Sequence, residues 1–306
     1  MDCSYYFKYH HIKMTFEPNI HRPPKRPQKA VIPAAGSGTR LLPATKSQAK
    51  EMLLVGRKPV IQHIVEEIQE AGINKILIIT NQKKRTLEDH LDPHLTHFSQ
   101  LQDINDEIEF FYTRQSQPKG LADAISKAET FVNNEPFVVC LGDSIIQSKP
   151  TNNVLENLID TYMINQANVS ILFEEVEFES VVKYGIAAPE FEQGRTFSIA
   201  DIVEKPSLEE APSNLAVAAR YVFSPEIFDY IRQTKPGRNN EIQITDSIHL
   251  ALQNRDRIFG LKLDHGEKRF DIGNYRAYFE AFFRFSLADP ELGAEFREYA
   301  KKMLEL

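Results

Sequence analysis

The amino-acid sequence predicts an α/β fold, a mostly parallel mixed sheet with helices on both faces. Short apolar segments rich in β-branched residues alternate with longer segments of helical periodicity, as in repeated β–α–β units. The run at 75–80, Lys-Ile-Leu-Ile-Ile-Thr, is apolar without alternation, which is typical of a strand buried on both faces. Parallel strands need crossover connections, so we expect helices to cover the sheet.

The first half of the chain shows the clearest alternation. Pro59 stands near the start of one helical segment and Gly72 just beyond its end, where these residue types favour helix boundaries. The elements predicted in this half are a strand at 30–34, a helix at 59–71, strands at 75–80 and 108–113, a helix at 121–131 and a strand at 137–141.

The second half is more interrupted. The elements predicted there are strands at 169–173, 199–203, 216–222 and 258–263 with helices between them, followed by helical segments at 275–285 and 291–304. Aromatic residues at helical spacing in the first of these last segments, including Tyr275 and Phe279, favour packing on the core or on another subunit, and so a homo-oligomer.

Three regions are predicted along the chain. Residues 1–27 are expected to form a flexible N-terminal extension, because the basic, proline-rich stretch 23–27 favours an extended, solvated connector. The folded domain is expected to span residues 28–288. Residues 289–306 are expected to form a C-terminal helix that packs on the domain or at a subunit interface.

The composition excludes several classes of protein. The 306 residues are 42% hydrophobic and 26% charged, as in ordinary globular proteins. The 36 basic and 43 acidic residues give a net charge of −7, which disfavours general binding of nucleic acid. No apolar run approaches the ~18 residues of a membrane span, and the cysteines, Cys3 and Cys140, suggest no disulfide framework. We therefore expect a cytoplasmic protein whose partners are small molecules.

The most informative segment follows the first predicted strand. Gly36 and Gly38 are one residue apart, Arg40 follows two residues later, and lysines stand at positions 46 and 50. Glycines let a loop present its backbone N–H groups to a ligand, and the cations suit an anion of several charges such as a nucleoside triphosphate. The segment lacks the third glycine and downstream acid of a dinucleotide fingerprint and the Gly-Lys-Ser/Thr of a Walker loop. It therefore predicts a triphosphate-binding loop of another kind.

The pattern Gly-x-Gly-Thr-Arg-x-x-Pro-x-Thr-x-x-x-x-Lys at 36–50 resembles that of the sugar-1-phosphate nucleotidylyltransferases. The similarity covers residues 28–288 and is greatest to the bacterial branch that acts on UTP and glucose 1-phosphate. It implies the Rossmann-like nucleotidyltransferase fold. The matching segments, in chain order, are 34–51, 58–62, 114–115, 120–121, 141–143, 184–186, 203–206, 211–215, 220–222, 241–246 and 270–273.

The resemblance implies an enzyme that joins UTP and glucose 1-phosphate into UDP-glucose and releases pyrophosphate. The attacking phosphate oxygen is already an anion, so in-line positioning and charge neutralisation take the place of a general base. By this resemblance Arg40 would hold the leaving phosphates, Lys50 would contact the phosphates of both substrates, and Lys205 would bind the sugar phosphate. Asp143 and Asp271 would hold Mg²⁺, which usually takes one or two carboxylates together with phosphate oxygens.

The same resemblance assigns two sets of binding residues. The residues expected to bind the nucleotide are Ala34, Ala35, Gly36, Gly38, Arg40, Glu51, Gln115 and Gly120. The residues expected to bind the sugar phosphate are Gly185, Glu204 and Lys205. The amide of Gln115 offers both a donor and an acceptor to a uracil edge, Gly120 permits close approach of the backbone, and Glu204 would accept hydrogen bonds from sugar hydroxyl groups.

Several positions depart from the family pattern. Ala49 stands where a proline usually precedes the Lys-Glu pair, and Gly56-Arg57 replaces a usual acidic residue. The run Gly-Leu-Ala-Asp-Ala at 120–124 replaces Gly-Leu-Gly-His-Ala, and Ser144 stands where many members carry an acid.

Two alternatives stay open. The Leu-Ala pair at 121–122 resembles the thymidylyltransferase branch, so one alternative is a glucose-1-phosphate thymidylyltransferase. The other is a catalytically silent protein that binds a sugar nucleotide for regulation. A silent protein would be marked by loss of a phosphate-binding cation or a metal-binding carboxylate, and the sequence retains them all.

Overall fold

A computed structural model describes residues 25–92, 107–149, 152–237 and 240–305. The strands and helices within these ranges are, in chain order, β1 (Lys29–Pro33), β2 (Leu54–Val55), β3 (Lys58–Pro59), α1 (Val60–Glu70), β4 (Lys75–Thr80), α2 (Arg85–Leu91), β5 (Glu109–Arg114), α3 (Leu121–Ser126), α4 (Glu129–Val132), β6 (Phe137–Cys140), β7 (Ser144–Gln147), α5 (Val154–Ile164), β8 (Val169–Glu175), β9 (Gly185–Gln193), β10 (Thr196–Glu204), β11 (Leu215–Phe223), α6 (Ile227–Gln233), α7 (Ile244–Gln253), β12 (Ile258–Lys262), β13 (Lys268–Asp271), α8 (Tyr275–Leu287) and α9 (Gly293–Leu304). Most of the predicted extension, residues 1–24, lies outside the described residues.

The centre of the molecule is a nine-stranded sheet in the order β5-β4-β1-β6-β11-β8-β12-β10-β9. The strands of the first half pair in parallel, and β8 pairs in parallel with β12. β11 runs antiparallel to both β6 and β8, and β9 and β10 form an antiparallel hairpin at the edge. The predicted mixed α/β sheet is confirmed, but it is not mostly parallel, since four of the eight neighbouring pairs in this order are antiparallel. The parallel pairing is concentrated where strands and helices alternate most regularly.

Helices cover both faces of this sheet. Ile32 of β1 packs in a core cluster with side chains of α1 and α5. Its neighbour Val31 packs in a second cluster with side chains of α3, α6 and α7. Because successive side chains of a strand point to opposite faces, the central strands contribute to both cores, which explains their continuous apolar character.

The structure differs from the predicted elements in four places, one of which is α2, a helix that was not predicted between β4 and β5. The helix expected at 121–131 is two short helices, α3 and α4, separated at Lys127-Ala128. β9 is not among the predicted strands, because its outer half is exposed and polar. The small pairs β2–β3 and β7–β13 are also not predicted, because strands of two to four residues are too short to show alternation.

The C-terminal helices lie beside the small strand pairs. α8 contacts β2 and β13, and α9 packs along α8. In the ranges described above, no helix combines the length and apolar character needed to cross a bilayer.

Candidate active site

The loop after β1 leaves the sheet at the carboxyl end of the parallel strands. The N–H of Ala34 donates to the carbonyl of Ile79 at 2.8 Å, and the N–H of Gly142 donates to the carbonyl of Pro33 at 3.1 Å. These bonds join the ends of β4, β1 and β6 beyond their last paired residues. Ligands of α/β proteins bind at this edge of the sheet, so the loop stands where a nucleotide is expected.

The loop folds back on the lysine that follows it. Gly38 has a left-handed backbone (φ 66°), which favours glycine, and it precedes the 3₁₀ turn Thr39–Leu41. The hydroxyl of Thr45 donates to the carbonyl of Gly38 at 2.7 Å and closes the loop. A Cβ atom on Gly36 would lie 3.6 Å from Nζ of Lys50. The ammonium group therefore lies next to the glycine backbone.

Lys50 contacts the carboxylate of Asp143 directly. Burial lowers the pKa of Lys50, but nearby carboxylates, Asp143 first among them, raise it above its ordinary value. Burial raises the pKa of Asp143, but the ammonium group of Lys50 more than reverses this effect and holds the pKa below its ordinary value. Both groups are therefore charged, and they form an ion pair between the glycine loop and the end of β6.

Asp271 lies next to Asp143 although it is far away in sequence. The register of β7 and β13 places Asp271 opposite Ser144, and the N–H of Ile272 donates to the carbonyl of Asp143 at 2.8 Å. Burial and then the charge of Asp143 raise the pKa of Asp271. Two carboxylates at one place oppose each other's ionisation, so this site gains from a cation.

Arg40 reaches the same place from the glycine loop. A Cβ atom on Gly273 would lie 2.7 Å from Oδ1 of Asp271 and 2.8 Å from Nη2 of Arg40, which is closer than a Cβ atom tolerates. Glycine at 273 therefore leaves the space that the two charged groups occupy. The structure thus brings Arg40, Lys50, Asp143 and Asp271 together.

The two carboxylates suit Mg²⁺. The charge of Asp143 raises the pKa of Asp271, so the two carboxylates lie near each other, and a cation between them would offset their repulsion. Mg²⁺ is usually held by one or two carboxylates, with waters and substrate phosphates as its other ligands. Among the residues that the structure describes, no three His, Cys, Asp or Glu side chains group as a metal site. The donor set therefore fits a cation whose shell a phosphate completes.

Gln115 and Gly120 lie together beyond the end of β5. The amide nitrogen of Gln115 donates to the carbonyl of Gly120 at 3.2 Å and to Oδ2 of Asp123 at 2.7 Å. Gly120 has φ 105°, and a Cβ atom there would clash with the carbonyl oxygen of Ile242. That carbonyl also accepts from the N–H of Ala122 at 3.0 Å. The turn at Gly120 is therefore packed against the segment before α7 and cannot carry a side chain.

Gly185, Glu204 and Lys205 form a second group on the β9–β10 hairpin. Gly185 pairs with Glu204, and a Cβ atom on Gly185 would lie 3.0 Å from Oγ1 of Thr245. The Thr245 hydroxyl donates to Oε2 of Glu204 at 2.8 Å, and Nζ of Lys205 lies 2.8 Å from Oε1. The acid is thus held by the hydroxyl group and the cation, next to a buried glycine whose missing side chain leaves space for Thr245 and Glu204.

Arg269 lies between the hairpin group and the carboxylates. It precedes Asp271 by two residues on β13, and its guanidinium carbon lies 4.6 Å from the ring centroid of Tyr184, the residue before Gly185. Its guanidinium group pairs with Glu174. Burial and the charge of Asp143 raise the pKa of Asp271. Of the groups that lower this pKa, Arg269 has the largest effect. Arg269 therefore connects the two predicted groups, and we call the region between them the cleft.

Glu51 is held by Lys84, a residue whose role the sequence did not indicate. The Glu51 side chain is 1% exposed, and both its oxygens accept from Nζ of Lys84 at 2.7 Å. Burial raises the pKa of Glu51 and lowers that of Lys84, and their attraction offsets part of each shift. Glu51 thus supports the neighbouring Lys50, and its contact with the nucleotide stays a prediction. In the sequence, Lys84 looks like part of an exposed charged run.

Arg220 is a second residue that supports the site and that the sequence did not identify. It is fully buried, and its guanidinium group donates to both carboxylate oxygens of Glu67 on α1, at 3.0 and 2.6 Å. It also donates to the carbonyl of Ser144 at 2.9 Å, which fixes the residue after Asp143. A single arginine in the apolar run Leu-Ala-Val-Ala-Ala-Arg-Tyr-Val is the signal that could have identified it.

The comparison with protein families matches residues 29–286 to the nucleotidyl transferase family. The chain belongs to this family. Its nucleotidyl transferase region starts at the first residue of β1 and ends within α8, so it contains the glycine loop, both carboxylates and the hairpin group. The predicted resemblance and the predicted fold are confirmed.

Individual members of the nucleotidyl transferase family are similar in sequence and in structure over nearly the whole chain. The chain is 38% identical over 291 residues to the UTP–glucose-1-phosphate uridylyltransferase of Staphylococcus epidermidis, covering 91% of this chain and 99% of that protein. It resembles the structure of UDP-glucose pyrophosphorylase complexed with UDP-glucose, with a TM-score of 0.79, 40% identity and coverage of 86% and 100%. A UTP-bound UGPase from Acinetobacter baumannii matches with a TM-score of 0.81, 33% identity and coverage of 92% and 99%.

Proposed function

We propose that the chain transfers the uridylyl group of UTP to glucose 1-phosphate, giving UDP-glucose and pyrophosphate, and that it uses Mg²⁺. The observation that carries this proposal is the convergence of Arg40 and Lys50 with Asp143 and Asp271. The relatives support the choice of substrates, because one is named for this reaction and the similar structures hold UDP-glucose or UTP.

The reaction requires positioned charge. An oxygen of the sugar phosphate attacks the α-phosphorus in line, the bond to the bridging oxygen breaks, and pyrophosphate leaves with the electron pair. Lys50 neutralises the phosphates of both substrates, and Arg40 holds the leaving phosphates. Mg²⁺ bound by Asp143 and Asp271 would supply further neutralisation at the phosphate oxygens.

Two surfaces recognise the rest of the substrates. The backbone of Ala34, Ala35, Gly36 and Gly38 lines one side of the nucleotide, and Gln115 and Gly120 read the base. On the other side, Gly185 leaves room for the sugar, Glu204 accepts from its hydroxyl groups, and Lys205 binds its phosphate. The hydrogen bond from Thr245 supports this assignment, because it holds the Glu204 carboxylate in place before substrate arrives.

Thymidylyl transfer is the second candidate, since uracil and thymine share one hydrogen-bonding edge. The pair Leu121-Ala122 raised this alternative, but Ala122 is fully buried in the core cluster beside Val31 and Ile125. The methyl group of Ala122 is therefore accounted for by packing, and the pair carries little information about the base.

A homo-oligomer is part of the proposal. α8 and α9 expose many apolar side chains, and an exposed apolar surface of this kind typically marks a protein interface. These side chains belong to Phe279, Phe282, Phe283, Phe296, Tyr299, Met303 and Leu304, and Leu292, directly before α9, adds to them. Light scattering should give a mass that is a multiple of 35.1 kDa, and Phe279→Ser combined with Tyr299→Ser should lower it. A monomeric wild-type protein would contradict this part of the proposal.

The function is tested by measuring pyrophosphate release with each of four nucleoside triphosphates and several sugar 1-phosphates. We expect the highest kcat/KM with UTP and glucose 1-phosphate, and loss of activity when EDTA removes divalent ions. A preference for dTTP would favour the second candidate. If no pair of substrates released pyrophosphate, the chain would be a catalytically silent protein that binds a sugar nucleotide.

A further inference from the structure

The amide nitrogen of Gln115 is surrounded by acceptors. Its hydrogens are directed to Oδ2 of Asp123 at 2.7 Å and to the carbonyl of Gly120 at 3.2 Å. An amide nitrogen has two hydrogens, so both are committed within the protein. The side chain of Gln115 is buried, at 6% exposure, so little water is available to replace these partners.

These partners determine which way the amide faces. Turning the Gln115 amide over would bring its oxygen against the carboxylate of Asp123 and the carbonyl of Gly120, and three acceptors would then oppose one another. Nζ of Lys127, one turn further along, lies 3.0 Å from Oδ1 of Asp123 and holds the carboxylate in place. The amide oxygen, Oε1, is therefore the atom of Gln115 that is available to bind a ligand. No donor within the described ranges is bonded to this oxygen.

Gln115 stands at the edge of the sheet that holds the nucleotide loop. Its N–H donates to the carbonyl of Thr80 at 2.9 Å, which places Gln115, just after β5, beside the end of β4. The next residue after β4, Asn81, donates from its side chain to the carbonyl of Ala35 at 2.6 Å. Gln115 is thus two strands from the glycine loop, at the same edge.

We propose that Asp123 is a specificity-determining residue that fixes Gln115 as a hydrogen-bond acceptor toward the base. The inference rests on the proposed function, in which Gln115 reads the base. An acceptor suits a pyrimidine with a hydrogen on N3, which uracil and thymine have. Cytosine carries a lone pair at N3 and is repelled. Without Asp123, the amide can turn over and present its NH₂ group to cytosine.

Asp123 acts through Gln115, so the test measures discrimination. In Asp123→Asn the new side chain can donate as well as accept, and Gln115 can turn over at little cost. We expect the ratio of kcat/KM for UTP to kcat/KM for CTP to fall by about tenfold, equivalent to one hydrogen bond. The ratio of dTTP to UTP should not change, because both bases carry the N3 hydrogen.

Three further variants complete the test. Lys127→Met removes the ion pair but keeps the Asp123 carboxylate, so it should keep the wild-type ratio of UTP to CTP. Asp123→Ser places a hydroxyl group that also donates or accepts, and it provides the same measurement if Asp123→Asn does not fold. Asp123→Glu keeps a group that only accepts hydrogen bonds, so it should keep the preference for UTP over CTP.

The outcomes separate this inference from the proposed function. An unchanged UTP to CTP ratio in Asp123→Asn, in an enzyme that makes UDP-glucose, overturns the inference alone. An equal loss with UTP, dTTP and CTP also overturns it, because it indicates that Asp123 only stabilises α3. Wild-type protein that releases no pyrophosphate overturns the proposed function instead.

Discussion

At the scale of single residues, the two carboxylates beside Lys50 are the groups on which we expect turnover to depend most. Asp143→Asn and Asp271→Asn each keep the shape of the side chain and remove a charge that the cation needs. We expect each to lower kcat by on the order of 10²-fold or more, with the circular dichroism spectrum unchanged.

The matched control for these variants is Asp264→Asn. Asp264 is an exposed aspartate between β12 and β13, 3.9 Å from Arg195, and it lies outside the proposed site. Its variant should retain wild-type kcat. Full activity in either site variant would exclude the assignment of that carboxylate to Mg²⁺.

Thr245 allows a test of the sugar side of the cleft. Thr245→Val keeps the volume of the side chain but removes the hydroxyl group that holds Glu204. We expect the KM for glucose 1-phosphate to rise about fivefold to tenfold, since one hydrogen bond to a charged group is lost, with a smaller change in the KM for UTP.

Thr245→Ser is the control, because it retains the hydroxyl group and should stay close to wild type. Equal kinetics for the valine and serine variants would show that Glu204 needs no such support.

Single residues also show where sequence reasoning succeeds and where it stops. Asp143 and Asp271 could be identified because each lies in a motif that resembles a family pattern. Thr245 lies in such a motif as well, but its role depends on a contact with Glu204 that only the folded chain creates. Lys84 and Arg220 act through other side chains, and a buried charge with a partner elsewhere in the sequence leaves no local signal.

At the scale of elements, the departure at Ala49 has a structural explanation. Ala49 has φ −63° and ψ 138°, the conformation that proline imposes, and it directly precedes the turn Lys50–Met52. The loop keeps the shape of the family pattern without the ring. Ala49→Pro should therefore stabilise the protein by about 0.4–1 kcal/mol, by restricting the unfolded chain.

This prediction is checked by comparing thermal unfolding of Ala49→Pro and Ala49→Gly. The glycine variant frees the unfolded chain and should unfold at a lower temperature than wild type. A proline variant that unfolds earlier than wild type would mean that the ring clashes with its buried surroundings.

Elements with a clear periodicity could be predicted, and elements held by distant partners could not. α1 and β4 follow from their patterns of apolar residues, and their observed bounds lie close to the predicted ones. β7 and β13 form only because they pair with each other, and neither is long enough to show a pattern. Their pairing nevertheless creates the carboxylate site.

At the scale of the whole molecule, Arg220 links three layers. It lies on β11, pairs with Glu67 on α1 and bonds to the first residue of β7. Arg220→Met leaves Glu67 without its cation in the interior, and we expect a loss of about 3–5 kcal/mol in the free energy of unfolding. Urea denaturation measures this loss. Arg276→Met, at an exposed arginine of α8, serves as the control and should leave the midpoint unchanged.

The boundary of the folded domain can be tested by truncation. Lys29 is the first residue of β1, and among the described residues Arg26, just before it, forms exposed ion pairs with Glu156 and Asp160. Such pairs contribute little to stability. Removing residues 1–24 should therefore leave kcat and the unfolding midpoint unchanged. An inactive but folded truncated protein would give the N-terminal residues a function.

The pairing of Asp271 with Ser144 also has a consequence for synthesis of the protein. Chains emerge from the ribosome N-terminus first, and long-range pairing forms only when both strands are available. A nascent chain that has emerged as far as β12 already contains the glycine loop, Asp143 and the β9–β10 hairpin, but it lacks β13. The second carboxylate joins the cleft only when nearly all of the protein has been made. If Asp271 holds the cation as proposed, we expect a chain that ends before β13 to be inactive, so that activity appears only after nearly complete synthesis.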